Sequence, residues 1–270
     1  MSTLSTNKTR EKIRQYWDER AQAYQGTTAS TTDDIHLREL EIKTMIETLK
    51  EAAPRSEATV LDVGCGDGYS TTQIALALPR LKFLGIDYSQ TMIDIAAQRL
   101  QLGVKGRVEF KVGDVTELRK ACGHEKYDIV ISDRCLINLE STESQYDAVA
   151  QIAKHTKPGG LFVPIENFVE GQEKLNSARR AVGVPEIPIR WHNLYFYESD
   201  FIKNVERFFA NITFKDFASS YYFATRVVYS AMCQMRGERL DYDHQIHRLA
   251  VNLPWFDKFS PIRMAVMNRK

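Results

Sequence analysis

The sequence predicts an α/β fold: a doubly wound, mostly parallel sheet of seven strands with helices on both faces, a helical cap before it and an insertion ahead of its last strand. Three observations carry that prediction. Short apolar runs alternate with helical periodicity between residues 59 and 166, the pattern of βα units laid on a parallel sheet. Gly64, Gly66 and Gly68 crowd the turn after the first apolar run, and Asp87 closes the second, an arrangement suited to a ligand at strand ends. The 270 residues, 43% apolar and 26% charged, supply one large core and make two separate domains a tight fit.

The elements follow in order. Lys8–Tyr24 sets Ile13, Tyr16, Trp17 and Tyr24 among charges, as an amphipathic helix does. Asp34–Ala53 puts Ile42, Met45, Ile46 and Leu49 on one helical face and stops at Pro54, and the polar stretch Thr27–Thr32 (TTASTT) reads as a hinge between the two helices. Thr59–Val63 is the first strand, Thr71–Leu78 a helix stopped by Pro79, and Leu81–Asp87 the second strand. Ser89 offers an N-cap to a helix bearing Met92, Ile93, Ala96, Ala97 and Leu100. Val108, Phe110 and Val112 alternate as a third strand, and Tyr127–Ser132 is the fourth. Thr142 and Gln145 have capping-box spacing before a helix that runs through His155, and Pro158-Gly159-Gly160 turns the chain into a fifth strand, Leu161–Glu166. Beyond Glu166 the alternation breaks down around Pro185, Pro188 and the aromatic-rich stretch Trp191–Phe201. Ile212–Phe217 and Ile262–Met267 supply the sixth and seventh strands, with a helical insertion around Val227–Met235 between them.

Lysine and arginine total 36 against 35 acidic residues, so there is no global positive field of the kind that collects nucleic acid. The four cysteines, Cys65, Cys122, Cys135 and Cys233, form no CxxC pair and have no histidine at ligand spacing; reduced thiols and no bound metal are expected. His244 and His247 share an HxxH spacing without a third ligand. No apolar signal core opens the chain and no run reaches the roughly 20 apolar residues of a membrane span, so a soluble, cytoplasmic protein is expected.

A glycine-rich turn lets backbone pass close to a ligand at a helix N-terminus. A nicotinamide or flavin site would ask for G-x-G-x-x-G, but the residue three beyond Gly66 is Tyr69, and counting from Gly66 as the first glycine ends on Thr71. The spacing in Leu61–Tyr69 (LDVGCGDGY), followed by Gly85-Ile86-Asp87 and Gly113-Asp114, resembles the class I S-adenosylmethionine-dependent methyltransferases of the small-molecule type, and the resemblance runs from about Tyr16 through Glu166. It implies a Rossmann-like sheet whose last strand is antiparallel. It also implies one methyltransferase domain over 1–270, with a helical cap (1–53), a cofactor-binding core (54–168) and a lid region with the final strands (169–270).

The resemblance assigns residues to S-adenosylmethionine, which leaves as S-adenosylhomocysteine. Asp62 and the backbone of Gly64, Cys65 and Gly66 would take the methionine part; Asp87 would take the ribose hydroxyls. Gly113 and Asp114 would meet the adenine amino group, with Tyr88, Met92 and Val115 forming the apolar slot and Ser132 at the end of the fourth strand. Tyr16 and Tyr24 (in YWDERAQAY) would close over the cofactor, and Arg38 would meet its carboxylate. The acceptor would sit above strands four and five, near Ser132–Asn138 (SDRCLIN), Glu166 and Asn167. Arg134 there could pair with an anionic acceptor, and Glu166 could orient or deprotonate a hydroxyl. Arg190–Tyr197 (RWHNLYFY) brings Trp191, His192, Asn193 and Tyr195 to the lid position, with His192 the best-placed base. Asn138, Tyr221 and Tyr222 complete the expected acceptor wall.

Methyl transfer from a sulfonium is an in-line displacement, so positioning and exclusion of water matter more than acid–base work. The favoured reading is O-methylation of a small molecule that is partly apolar, with an anionic group allowed by Arg134, Arg179, Arg180 and Arg190. N- or C-methylation, a tRNA or protein acceptor, and a non-catalytic cofactor-binding protein are the alternatives. No nucleic acid or membrane partner is expected, and homodimerisation is left open.

Overall fold

The computed structural model describes residues 2–270 apart from 25, 26, 28, 29, 53–56, 101 and 257, and within that range leaves out the side chains of 2–7 and 102. Part of the expected hinge and the helix-ending Pro54 therefore lie outside the described residues.

The chain runs α1 (Ser2–Ala23), α2 (Ile35–Ala52), β1 (Ala58–Val63), α3 (Tyr69–Ala77), β2 (Leu81–Asp87), α4 (Gln90–Gln98), β3 (Val108–Val112), α5 (Leu118–Cys122), β4 (Tyr127–Asp133), α6 (Thr142–His155) and β5 (Thr156–Asn167). It continues through α7 (Val169–Ala181), α8 (Glu198–Val205), β6 (Phe209–Lys215), α9 (Ser219–Tyr222), a π-helical stretch Phe223–Val228, α10 (Tyr229–Arg236), α11 (Gln245–Ala250) and β7 (Ile262–Arg269). The seven strands form one sheet in the order β3-β2-β1-β4-β5-β7-β6. The pairs from β3 to β5 are parallel, and β7 runs antiparallel to both β5 and β6. The order reverses between β1 and β4, which opens a crevice at the C-terminal strand ends there.

Alternate strand residues feed two cores, because successive side chains point to opposite faces. Val60, Ile129, Ile131, Val163 and Met264 pack under α2 and the insertion, while Leu61, Val130, Phe162 and Ala265 pack under α6 and α8. Asp62, between Leu61 and Val63, is thereby held buried at a strand end.

Several boundaries differ from expectation for local reasons. Helix α3 begins at Tyr69, two residues early, because Gly68 at φ +69° starts it directly from the turn. Ser141, not Thr142, caps α6 by accepting from Ser144 N–H, while Gln145 reaches the carbonyls of Leu136 and Leu194. Pro158-Gly159-Gly160 lies inside β5 as a bulge: Tyr127 pairs with Thr156 and Ile129 already with Leu161. Strand β6 starts at Phe209, three residues before the expected Ile212. The irregular reading after Glu166 missed α7, whose buried face mixes Leu175 with Gln172 and Arg179, and α8, a short helix that buries Phe201 and Val205.

Candidate active site

The crevice holds a cavity of about 390 Å³ that extends from the glycine turn to the lid segment. At the turn, Gly64, Gly66 and Gly68 all have φ between +54° and +74°, the left-handed region that excludes most side chains. A Cβ on Gly64 would lie 2.4 Å from the Cys135 sulfur, so the bare backbone lets the β4 loop close against the turn. Gly64 and Cys65 N–H groups both donate to the Ile86 carbonyl, which ties the turn to β2.

Asp87 faces the cavity with one carboxylate oxygen accepting from Gly66 N–H (3.0 Å) and the other from Ser89 N–H (2.9 Å). Burial pushes its pKa up to about 6, with those two backbone bonds opposing the rise. Asp62, also lining the cavity, accepts from the Thr71 hydroxyl at 2.6 Å, and burial raises it to about 7. Tyr88 lines the same end, and its buried hydroxyl has no hydrogen-bond partner among the described residues. Met92 lies beside it and packs on Ala21 and Trp17 of α1. Helix α1 is held over the cavity mouth by Trp17 Nε1 donating to Asn138 Oδ1 at 3.3 Å.

These features suit S-adenosylmethionine. A cradle without side chains, two buried carboxylates raised by desolvation and an orphaned hydroxyl are what an aminoacyl chain and a ribose would complete. Asp62 would face the ammonium, Asp87 the ribose hydroxyls, and Tyr88 with Met92 the base. The bound cofactor would supply an electrophilic methyl group to the cavity.

The structure brings Asp62, Gly64, Cys65, Gly66, Asp87, Tyr88, Met92, Arg38, Arg134, Asn138, His192, Asn193, Tyr195 and Tyr222 to the cavity wall. Others stand elsewhere. Asp114 is turned onto Arg10 and onto Thr116, whose N–H and hydroxyl it accepts, so its carboxylate is not presented to the cavity. Gly113 and Val115 pack beneath, against Ala121 and the second core respectively. Tyr24 is exposed under Arg20, and Tyr16 stacks on His192 at 4.3 Å, behind rather than in the wall. Tyr221 is fully buried, its hydroxyl donating to Asp34 at 2.6 Å and contacting His247 Nδ1 at 2.8 Å. That contact is where the HxxH pair leads; His244 stacks on Tyr229. Trp191 is an exposed ring packed edge-on against His192.

Glu166 departs furthest from its expected placement. Its carboxylate accepts from Ser132 Oγ (3.0 Å), Leu136 N–H (3.0 Å) and Ile137 N–H (3.2 Å), outside the cavity wall. It is a buried brace for the β4 loop, and the Ser132 hydroxyl donates to that brace. Arg134 is also committed: it sits at φ +52°, pairs with the fully buried Glu41 at 3.0 Å and lies 3.6 Å from Asp133. Burial raises Glu41 to about 8, against the pull of Arg134. Arg38 lines the cavity while bonded to Asp67 at 2.6 Å, and Arg180 points outward to Glu186.

His192 lines the cavity from the lid segment. Burial, reinforced by Arg190 and Arg20, lowers it to about 4, so the ring is neutral at physiological pH, and its buried Nδ1 has no partner among the described residues. Asn167 Oδ1, in the same wall, is likewise buried and unpartnered. Glu41 and Asp34 were missed in the sequence although helical spacing sets Glu41 on the buried face of α2 with Leu37, Thr44 and Thr48.

A switch-point cavity with a glycine cradle and a ribose-type acid defines an α/β enzyme built around a nucleoside cofactor. The chain belongs to the class I S-adenosylmethionine-dependent methyltransferases: the family model described as a methyltransferase domain matches residues 54–197. It is a methyltransferase of that family. It is 21% identical over 210 residues to the malonyl-[acyl-carrier protein] O-methyltransferase of Halalkalibacterium halodurans, covering 76% of this chain and 73% of that one. It is 32% identical over 109 residues to the trans-aconitate 2-methyltransferase of Deinococcus radiodurans, covering 40% and 37%. The chain thus spans about three quarters of the first relative and well under half of the second. In fold it is similar to magnesium protoporphyrin IX methyltransferase of Synechocystis PCC 6803 with bound S-adenosylhomocysteine (TM-score 0.61, 17% identity, 96% of this chain and 99% of that one). The N-methyltransferase NodS of Bradyrhizobium japonicum is also similar (TM-score 0.58, 13% identity, 94% and 98%). At these identities the structural likeness concerns the fold.

Proposed function

We propose that the protein transfers the methyl group of S-adenosylmethionine to an oxygen of a small-molecule acceptor held in the cavity. The observation that carries this reading is the continuity of the cavity from the glycine turn to His192, Asn167 and Tyr195. The wall on the acceptor side comes from β5, α7 and the lid segment, and Trp17 with the 187–193 stretch shields it from water.

A neutral imidazole suits an acceptor hydroxyl, from which it accepts the proton in a hydrogen bond. A pKa near 4 makes it a weak base, so its main contribution is orientation. O-directed transfer accords with the malonyl-[acyl-carrier protein] O-methyltransferase relative. The test is a methyl-release screen with labelled S-adenosylmethionine over phenols, carboxylic acids, sugars and amines. Turnover confined to oxygen acceptors supports the reading, whereas turnover of amines alone overturns it. On the acceptor found, His192→Ala should lower kcat by up to about a hundredfold, the size of a positioning loss, and unchanged turnover would remove the histidine from the chemistry.

A further inference from the structure

We propose that the cavity anchors its acceptor by an oxyanion at Arg179, with Arg190 adding positive charge at the lid edge, so that the acceptor is a bifunctional acid: an anionic group joined through an apolar body to the oxygen that is methylated. The inference rests on the O-methylation reading for the second half of that statement. The anion is a handle and takes no part in bond making.

Helix α7 turns Gln172, Leu175 and Arg179 into the cavity, the i, i+3, i+7 positions of one face. Arg179 is only 6% exposed. Its Nε donates to the Pro185 carbonyl at 2.7 Å, and its Nη1 to the Arg226 carbonyl and, at 3.2 Å, to Ser230 Oγ. All three partners are neutral, and no carboxylate pairs with Arg179 among the described residues. Guanidinium stays charged in proteins, so this is a buried cation fixed in place without a counter-ion, an arrangement that costs stability unless an anion arrives.

The neighbouring charges do not supply one. The cavity wall holds Asp33, Asp34, Asp62, Asp87 and Asp133. Asp33 pairs with Arg20 and Asp34 with Arg226; Asp133 lies beside Arg134, and Asp62 and Asp87 take hydroxyl and backbone donors at the cofactor end. Arg190, at the lid edge of the same wall, pairs with no carboxylate among the described residues either, and its field reaches His192 and Tyr195. Arg134, the arginine first expected to meet an anion, already has Glu41 and Asp133. Leu175, Ile187 and Tyr222 line the same cavity and suit an apolar spacer.

The test is calorimetric, on the full chain with and without S-adenosylhomocysteine, using 4-phenylbutyrate and its neutral isostere 4-phenylbutanol. The acid should bind about tenfold tighter than the alcohol or better, as expected for hydrogen bonds to a charged group. Arg179→Met should erase that preference, with Arg179→Lys restoring part of it. Arg190→Ala, at an exposed position, should reduce the preference while the melting temperature stays that of the parent. Equal binding of acid and alcohol, binding of neither, or a preference that survives both Arg179→Met and Arg190→Ala overturns the proposal. The cofactor reading is judged separately, by S-adenosylhomocysteine binding in the same runs. The O-methylation reading fails separately if acid-selective binding holds but methyl transfer goes only to amines.

Discussion

Single residues divide here into those that face the cavity and those that hold the residues that do. Glu166 shows the difference. A carboxylate at a strand end beside an acceptor site reads in sequence as an acid or base, but three donors from Ser132, Leu136 and Ile137 consume it. Replacing it with Gln sets an amide N–H₂ against donors, so Glu166→Gln should lower stability by about 1–3 kcal/mol, the cost of a buried polar group left unmatched. Denaturant titration checks the size of the loss. A bracing role also predicts that the pH profile of kcat keeps its shape in the variant; a lost ionisation limb would return Glu166 to the chemistry. Which way a carboxylate points is set by loop backbone donors distant in sequence, and spacing carries no signal for that. Glu41 is the opposite case. The sequence reading passed over it, although it shares a helical face with Leu37 and Thr44, and its partner Arg134 lies 93 residues away in sequence.

At the scale of elements, the core strands were legible because each is a short apolar run bounded by turn residues, and β2 falls on the expected Leu81–Asp87. The glycine turn was legible for the same reason: three glycines within five residues have few uses other than positive φ and close approach. Gly64→Ala tests that use. It imposes a left-handed backbone on alanine and drives Cβ into Cys135, so stability should fall by about 1–3 kcal/mol. Because Gly64 lines the cavity, S-adenosylhomocysteine affinity should fall with it. A variant as stable as the parent by thermal melting would mean that the turn tolerates a side chain. Helices α7 and α8 were not legible, since Gln172 and Arg179 interrupt the apolar face of α7 at the positions that line the cavity. The polar residues that obscured the helix are the ones that shape the acceptor end.

The molecule buries Asp62 and Asp87 in the cavity wall and Glu41 and Glu166 against residues that hold that wall, and this sets its response to pH. Burial raises Glu41 to about 8, Asp62 and Glu166 to about 7 and Asp87 to about 6, from ordinary values of 4.5 for glutamate and 3.8 for aspartate. Folded-state values above the unfolded ones mean that the folded protein holds these protons more tightly. The stability they contribute is complete below the unfolded values and is lost as pH rises through about 6 to 8. His192, lowered to about 4, acts in the opposite sense, but its stability is complete above its unfolded value near 6.5 and is lost only as pH falls through 4. Above pH 6.5 the contributions of His192 and His247, both lowered by burial, are complete, so the carboxylates dominate and the melting temperature of the free protein should fall from pH 6.5 to about 8. A flat or rising melting temperature would contradict the burial of these groups.

Cofactor binding by the glycine cradle and Asp87 is tested most directly by calorimetry of S-adenosylhomocysteine with the parent chain and with Asp87→Ala. Saturable one-to-one binding by the parent, weakened by about tenfold or more in the variant as expected for hydrogen bonds to a charged group, is the predicted result. No binding by the parent at millimolar ligand, or equal affinity in the two proteins, would contradict it.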